Sequence, residues 1–350
     1  MKTIVFFNTN EAWGGGEKWH LNMAISLKAN SFKVIIICLP NSELAKMAKE
    51  NDIDFIPISL TNLSFLNPVK ILQVRSLLKK VNPFGIFMNL PRDVKICAPL
   101  AKSLGIAKVF YRRGMPHPLK NNLVNKFVFK NIDLFIANSE EIKKSIIQNC
   151  PELEEKTKII YNGVIPKENI PKHMNEKLIL GNIGRLVEQK GQRDLLKVAK
   201  TLKVMNFPFH LYIAGTGPMK EELEQTIKRY GLKDHVELLG HRPANEVFEM
   251  IDLFIFTSHF EGSANALIEA LQYQKPVVAF DISSNPEVVE NGREGILIPP
   301  FDCEKMALAI TELSIQPELC ESFRNNAKAK INSKFNYKNK IQEVIELINS

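Results

Sequence analysis

Apolar residues in this chain fall into short unbroken runs. Between most of the runs lie longer stretches whose apolar positions recur at helical spacing. The runs at 3–7, 33–38, 55–58, 85–89, 108–111, 134–137 and 158–161 predict strands, with helices such as 17–28 and 69–80 between them. A second set repeats the logic, with strands expected at 179–183, 209–214, 236–239, 253–256, 276–280 and 295–298. Helices are expected there at 191–202, 219–230, 266–272 and 303–313. Strands that alternate with helices build a mostly parallel sheet covered on both faces. A polar segment at 166–176, holding Pro166 and Pro171, separates the two patterns and reads as a linker. The expected fold is therefore α/β, with two doubly wound domains at 1–165 and 177–334. A ligand would lie in the cleft between them, at the carboxyl ends of the strands.

Composition is consistent with this division. A chain of 350 residues is long for one core and comfortable for two. With 45% hydrophobic residues and a mean hydropathy of −0.10, disorder is not the expectation. No apolar stretch approaches the roughly 20 residues that span a bilayer, and the first apolar run is too short for a signal peptide. Cys38, Cys97, Cys150, Cys303 and Cys320 are scattered and odd in number, without a C-x-x-C. That pattern argues against a disulfide framework or zinc site and fits a reducing cytoplasm.

The net charge of +8 is unevenly placed, because residues 1–170 hold 24 Lys and Arg against 14 Asp and Glu. The basic excess of the first half points to an anionic partner, a membrane surface or an acidic acceptor, with a merely soluble basic surface as the alternative. Nucleic acid is not expected, since no recognition motif or aromatic-interleaved basic stripe is present.

The stretch 254–270 carries the most chemistry. An apolar run ends in small polar residues, Glu261-Gly262 follows, and the chain then turns helical through Glu269. Glu261 is expected on the loop leaving a strand, and Glu269 about two helical turns further on. Gly262 and the helix amides let a ligand approach closely. Two glutamates at this spacing alone would equally describe a solvated helix face. Their context, from the preceding strand to the buried Lys275-Pro276-Val277-Val278-Ala279, resembles the Glu-x7-Glu signature of retaining glycosyltransferases of the GT-B fold, most closely glycosyltransferase family 4.

Other segments share the resemblance. Gly184-Arg185 and Lys190-Gly191 follow the first strand of the second domain and are similar to the family's Gly-Arg-x5-Lys-Gly segment. There the resemblance implies that Arg185 and Lys190 stabilise a departing nucleoside diphosphate, a task that suits two cations on a βα loop. Gly14, Gly15 and Gly16 open a helix directly after the first strand, a place suited to anions. The family carries a Gly-rich loop there, on the diphosphate and acceptor side; a plain tight turn is the alternative. Gly215-Thr216-Gly217-Pro218 resembles the family's Gly-x-Gly-Pro turn, with a structural or nucleotide-adjacent role. Many members place a histidine near the donor sugar where this chain has Tyr111-Arg112-Arg113, with His117 several residues later. Arg112, Arg113 and His117 are thus candidates for acceptor or phosphate contact, and His117 is alternatively a plain loop residue. The resemblance further implies a GT-B fold whose last helix, at 335–350, crosses back onto the first domain.

The implied reaction moves a sugar from a nucleotide diphosphate sugar to a hydroxyl acceptor with retention, without metal or cofactor. Catalytic candidates are Arg185, Lys190 and Glu261. Donor contacts fall to Gly15, Gly16, Gly184, Gly215, Gly262, Ser263, Ala264, Asn265 and Glu269, with Glu269 holding the ribose. The basic first domain directs attention to a lipid-linked or cell-envelope glycan acceptor and to the inner face of the cell membrane. Competing readings are a nucleotide-sugar 2-epimerase of the same fold, a non-catalytic nucleotide-sugar-binding partner protein, and a dinucleotide oxidoreductase, which lacks its G-x-G-x-x-G. Asp52-Ile53-Asp54 reads as turn chemistry rather than a metal motif. His20, His173, His210, His235 and His241 show no ligand spacing, and His259 reads as a loop residue satisfied by hydrogen bonding. No G-x-S-x-G elbow supports a hydrolase. The stretch 119–130, which mixes Leu, Val and Phe with lysines, is an ordinary amphipathic helix or one lying on anionic lipid.

Overall fold

In a computed structural model the chain is described over residues 1–168 and 177–350, so part of the expected linker and His173 lie outside the described residues. Two compact units emerge. The first comprises Met1–Asn162 with Lys338–Ser350, and the second Gly163–Tyr337.

The first unit is built on a seven-stranded parallel sheet of β1 (Thr3–Asn8), β2 (Lys33–Cys38), β3 (Asp54–Pro57), β4 (Gly85–Met88), β5 (Lys108–Arg113), β6 (Leu134–Ala137) and β7 (Thr157–Ile159). Their order is β3-β2-β1-β4-β5-β6-β7, so the winding reverses between β1 and β4. Every residue of β4 is buried, and all but the first of β1, β2 and β5, because helices cover both faces. Phe6, Phe87 and Phe110 stack across three neighbouring strands, with ring centroids 5.2 and 4.4 Å apart. The last helix, Tyr337–Asn349, puts Val344, Leu347 and Ile348 into the same core as Ile4, Phe6 and Ile36.

The second unit holds β8 (Leu178–Ile183), β9 (Phe209–Ala214), β10 (Val236–Gly240), β11 (Leu253–Phe256), β12 (Val277–Phe280) and β13 (Gly295–Ile298), again all parallel. Its order, β10-β9-β8-β11-β12-β13, reverses between β8 and β11. Each unit is thus doubly wound, and the place where a ligand crevice opens in such a sheet is beyond the carboxyl ends of β1 and β4, or of β8 and β11.

Differences from the sequence expectation have local causes. The strand expected from Pro276 begins at Val277, since Pro276 has no N–H for the ladder and contributes only its carbonyl, which accepts from Phe254 N at 3.0 Å. The first helix starts at Gly15 rather than Glu17, so the glycines form its first turn instead of a loop before it. Helix Asn265–Gln272 begins only after Ala264. Glu269 therefore stands about one turn into the helix, not two turns beyond Glu261. Among the described residues no helix is long and apolar enough to cross a membrane.

Candidate functional site

In the second unit, backbone geometry brings three loops together at the carboxyl edge of the sheet. Gly215, at φ +147°, closes against the turn after β8, and a Cβ on it would meet Gly184 O at 1.8 Å. Gly191, at φ +66°, ends the Arg185–Lys190 segment, and a Cβ there would lie 1.9 Å from Thr257 O. Only glycine fits either position. The loop after β8 is then stitched to the loop after β11: Thr257 Oγ1 donates to Gly191 O (2.9 Å), His259 N to Gln189 O (2.9 Å) and Gln189 Nε2 to Phe260 O (2.7 Å).

This stitching sets the charged pair. The Lys190 stem runs over Gly184, and its Nζ donates to Glu261 Oε1 at 2.6 Å. The Glu261 and Lys190 side chains are only 8% and 18% exposed, so each charge depends on the other for compensation. Ser283, from the loop after β12, brackets the Glu261 backbone, donating to its carbonyl at 2.7 Å and accepting from its N–H at 3.3 Å. Arg185 is different. Its carbonyl is held by Gln192 Nε2 (3.0 Å), while its side chain is exposed and makes no ion pair among the described residues.

Gly262 and Ala264 are buried, and Asn265 is exposed at the start of the helix. Ser263 Oγ donates to Asn265 Oδ1 at 3.3 Å, and no side chain caps the helix. Glu269 is half-buried on the same helix. Around these residues, Asn182 Oδ1, Ser258 Oγ, Ser284 Oγ and Asn285 Oδ1 are buried without a hydrogen-bond partner, all on or just beyond β8, β11 and β12. Buried polar atoms without a protein partner at this edge are groups that a polar ligand would satisfy. His259 is already occupied, with Nε2 2.6 Å from Asp194 Oδ2, whose other oxygen takes Lys197 Nζ at 2.7 Å.

The first unit gathers a second polar cluster at the ends of β1, β4 and β5. The N-terminus of helix Gly15–Ala29 presses on the residue after β4, so that a Cβ on Gly16 would meet Asn89 Nδ2 at 2.3 Å. Buried Glu17 accepts from Asn8 Nδ2 (3.0 Å) and Asn10 Nδ2 (3.1 Å). Asp93, in the first turn of helix Pro91–Ser103, is fully buried. It accepts from Thr9 N (2.9 Å) and Thr9 Oγ1 (2.5 Å), and Arg92 Nε donates to the same hydroxyl at 3.1 Å. Burial pushes the Asp93 carboxyl up to about 7, against the opposing pull of Thr9 and Arg92. His20 is also fully buried, with neither ring nitrogen paired, and burial followed by the Arg112 charge pushes it down to about 3. It is a neutral imidazole packed between Phe6 and Trp19.

Of the basic candidates here, Arg112 is buried, stacks 4.6 Å from the Trp19 ring centroid and donates to Asn162 Oδ1 at 2.8 Å. Arg113 turns inward to Tyr111 Oη (3.1 Å) and to the carbonyls of Met115 (3.3 Å) and His117 (2.6 Å). Its visible work is to fold the loop after β5, and His117 contributes a carbonyl while its side chain stays exposed. The structure therefore joins Lys190 to Glu261, leaves Arg185 open to solvent, and buries Arg112 and Arg113. Sequence reasoning passed over Asp93 and Asn89. The available signal was position alone, a carboxylate and an amide just past a strand that flanks the winding reversal.

Two doubly wound α/β units with a charged pair and a Gly-Arg loop at the switch point of the second define the GT-B class of sugar-nucleotide-dependent folds. A family model described as Glycosyltransferase Family 4 matches residues 13–168, and one described as Glycosyl transferases group 1 matches residues 164–330. The chain belongs to the group 1, family 4 glycosyltransferases.

Among relatives, an N-acetylgalactosamine-N,N'-diacetylbacillosaminyl-diphospho-undecaprenol 4-alpha-N-acetylgalactosaminyltransferase of Campylobacter jejuni is 26% identical, over 94% of this chain and 95% of its own. A poly(ribitol-phosphate) alpha-N-acetylglucosaminyltransferase of Staphylococcus aureus is 30% identical, over 52% of this chain and 37% of its own. Several relatives of higher identity than the Campylobacter protein are matched over about half of their length or less, from 37% to 51%. In fold, a glycosyltransferase from Rickettsia africae superposes with a TM-score of 0.87 at 20% identity, covering 99% of this chain and 97% of the other. Anabaena HepE in complex with UDP gives 0.83 at 21%, covering 100% of both.

Proposed function

We propose that this chain transfers a sugar, with retention, from a nucleotide diphosphate sugar to a hydroxyl of a lipid-linked or cell-envelope glycan, working in the cytoplasm at the inner face of the membrane. The observation that carries the reading is the arrangement at the second switch point, where exposed Arg185 and the Lys190–Glu261 pair flank a set of unpaired buried polar atoms. Relatives named for alpha linkages and for undecaprenol-linked or ribitol-phosphate acceptors support the acceptor class and the stereochemistry. Alpha is the configuration that retention leaves from an alpha-linked donor.

In this reading the bond from the sugar anomeric carbon to the diphosphate oxygen breaks, and a bond from the acceptor oxygen forms on the same face. The acceptor proton passes to the departing phosphate. Negative charge grows on that phosphate, where Arg185 and Lys190 stabilise it without a metal or cofactor. Glu261, with backbone around Gly262, Ser263, Ala264 and Asn265, holds the sugar hydroxyls, and Glu269 the ribose. Gly184 and Gly215 leave room for close approach of the donor, and in the first unit the helix that Gly15 and Gly16 open offers its N-terminus to a negatively charged group.

The test is thermal stability against a panel of UDP-, GDP-, ADP-, CMP- and TDP-sugars and NAD(P). A ligand at 100 times its dissociation constant adds about 2.7 kcal/mol. A shift with one nucleotide sugar, abolished in Glu269→Ala, is expected. A shift with NAD(P) alone, or consumption of the sugar nucleotide without acceptor to give an epimer, overturns the reading.

A further inference from the structure

The segment that leaves β11 and carries Glu261 is tied down mostly by other loops. Thr257 Oγ1, His259 N and Phe260 O bond to Gly191 and Gln189 in the loop after β8, and Ser283 brackets the Glu261 backbone from the loop after β12. Bonds between loops leave them free to shift together. One hydrogen bond of the segment reaches a helix: His259 Nε2 lies 2.6 Å from Oδ2 of Asp194, in the first turn of helix Gln192–Val204. That helix is fixed in the core by Leu195, Leu196, Val198 and Leu202.

The His259 ring is held from three sides. Asp194 is buried, as an aspartate is only when paired, and its other oxygen takes Lys197 Nζ at 2.7 Å. A carboxylate only accepts, so the imidazole keeps its proton on Nε2 and its tautomer is fixed. Phe301, on the loop after β13, meets the imidazole at 75° with ring centroids 5.0 Å apart. Phe301 is 55% exposed and stands at φ +67°. A bulky residue in the left-handed region is an outlier that its surroundings must hold in place, and the contacts made there are with His259 and Phe280. On the third side lies Gly191, where a Cβ would come within 3.1 Å of His259 Cδ2.

We infer that His259, Asp194 and Phe301 are positioning residues for the donor sugar. They lock the main chain two residues ahead of Glu261, so that its carboxylate meets the sugar hydroxyls, and they act through Glu261 rather than by touching the sugar nucleotide. A polar group that selects a substrate has to be held within a fraction of an ångström by side chains that are themselves locked, and a dyad anchored on a helix supplies that support. The inference rests on the proposed donor site at Glu261. The nucleotide end of the donor falls to Arg185 and Glu269, on other segments, so a displaced Glu261 is felt at the sugar end.

Calorimetric titration of the full-length protein tests it, with two probes: the nucleotide sugar of the panel that raises the melting temperature, and the nucleoside diphosphate of the same base. His259→Ala and Asp194→Ala are each expected to weaken nucleotide-sugar binding and to lower turnover by about tenfold. Nucleoside diphosphate binding should stay within about twofold of the parent, and the double variant should lose no more than either single one. His259→Gln, whose amide nitrogen stands as many bonds from the backbone as Nε2, should recover most of the loss. Phe301→Gly removes the brace but relaxes the left-handed backbone, so sugar affinity is expected to fall while the melting temperature does not. Sugar and diphosphate binding that decline in step with the melting temperature would describe a merely structural support and overturn the proposal. Variants that bind both probes like the parent also overturn it and leave the transferase reading standing. A parent that binds the diphosphate but no nucleotide sugar overturns the donor site, and the proposal with it.

Discussion

Lys190 Nζ and Glu261 Oε1 lie 2.6 Å apart although 71 residues separate them, and each side chain is largely withdrawn from solvent. The Lys190–Glu261 pair joins the loops on either side of the winding reversal in the second sheet. In the proposed reaction this cation stabilises the leaving diphosphate, held by the same carboxylate that is proposed to bind the sugar.

A double-mutant cycle measures that coupling. Lys190→Ala is expected to lower turnover by more than tenfold, or above about 1.4 kcal/mol of transition-state stabilisation. Glu261→Gln is expected to lower it as well, because Lys190 loses the partner that fixes it. The two losses should be sub-additive by about 1–3 kcal/mol, as for charges in direct contact. Strict additivity would mean that the residues act independently.

Gly191 offers a test of the stitching, with Gly105 as its control. Both have positive φ, +66° and +74°, but a Cβ on Gly191 collides with Thr257 O while one on Gly105 meets nothing within 4 Å. Gly105→Ala should lose only the left-handed backbone cost of about 1–2 kcal/mol. Gly191→Ala must in addition displace the loop that carries Thr257 and His259, so its loss in urea unfolding should be clearly larger and accompanied by lost turnover. Similar losses for the two variants would show that the loops yield freely.

How much of this was legible in the sequence follows from what each signal encodes. Unbroken apolar runs such as 34–38 and 253–256 coincide with strands because a buried parallel strand needs apolar side chains on both faces. Gly184 and Gly215 are legible as glycines at strand ends and Gly191 as one that opens a helix, and the structure adds the backbone oxygens that Gly191 and Gly215 must approach. Pairing was not legible. Nothing in the spacing of Lys190 and Glu261 says that they touch, because sheet order decides which loops become neighbours. Asp93 is illegible for the same reason, since its hydrogen-bond partner Thr9 lies 84 residues away. Arg112 and Arg113 resembled ligand contacts because exposed and buried arginines are written alike.

Asp93 gives the first unit a pH dependence with a definite sign. Its carboxyl is held at about 7 in the folded chain, above the ordinary value of 3.8, chiefly by burial. Between those values the folded chain keeps a proton that the unfolded chain has released. The contribution is therefore complete below the unfolded value and lost as pH rises through about 7. Relative to Asp93→Asn, the parent protein should lose stability across this window, with a slope approaching about 1.4 kcal/mol per pH unit for one proton. His20, shifted in the opposite direction, cancels in the comparison because both proteins contain it. A flat difference curve in chemical denaturation at a series of pH values would show that Asp93 is ionised in both states.

Arg113 and His117 separate a side-chain role from a backbone one. The Arg113 guanidinium holds the loop after β5 through Tyr111 Oη and the carbonyls of Met115 and His117, and it is buried while doing so. Hydrogen bonds from a charged donor contribute about 1.5–3 kcal/mol each, and removing this one takes the donor from three acceptors, of which Tyr111 Oη is buried. Arg113→Ala should therefore destabilise the protein by about 3 kcal/mol or more, and proteolysis should open the loop at 114–118. His117→Ala keeps the carbonyl that Arg113 uses and removes only an exposed ring, so stability should stay within about 0.5 kcal/mol. If His117→Ala nonetheless lowers turnover at unchanged stability, its ring meets substrate. The loop that Arg113 builds would then serve to present that ring, and an Arg113→Lys variant, which keeps the charge but not the forked geometry, should lose turnover in parallel.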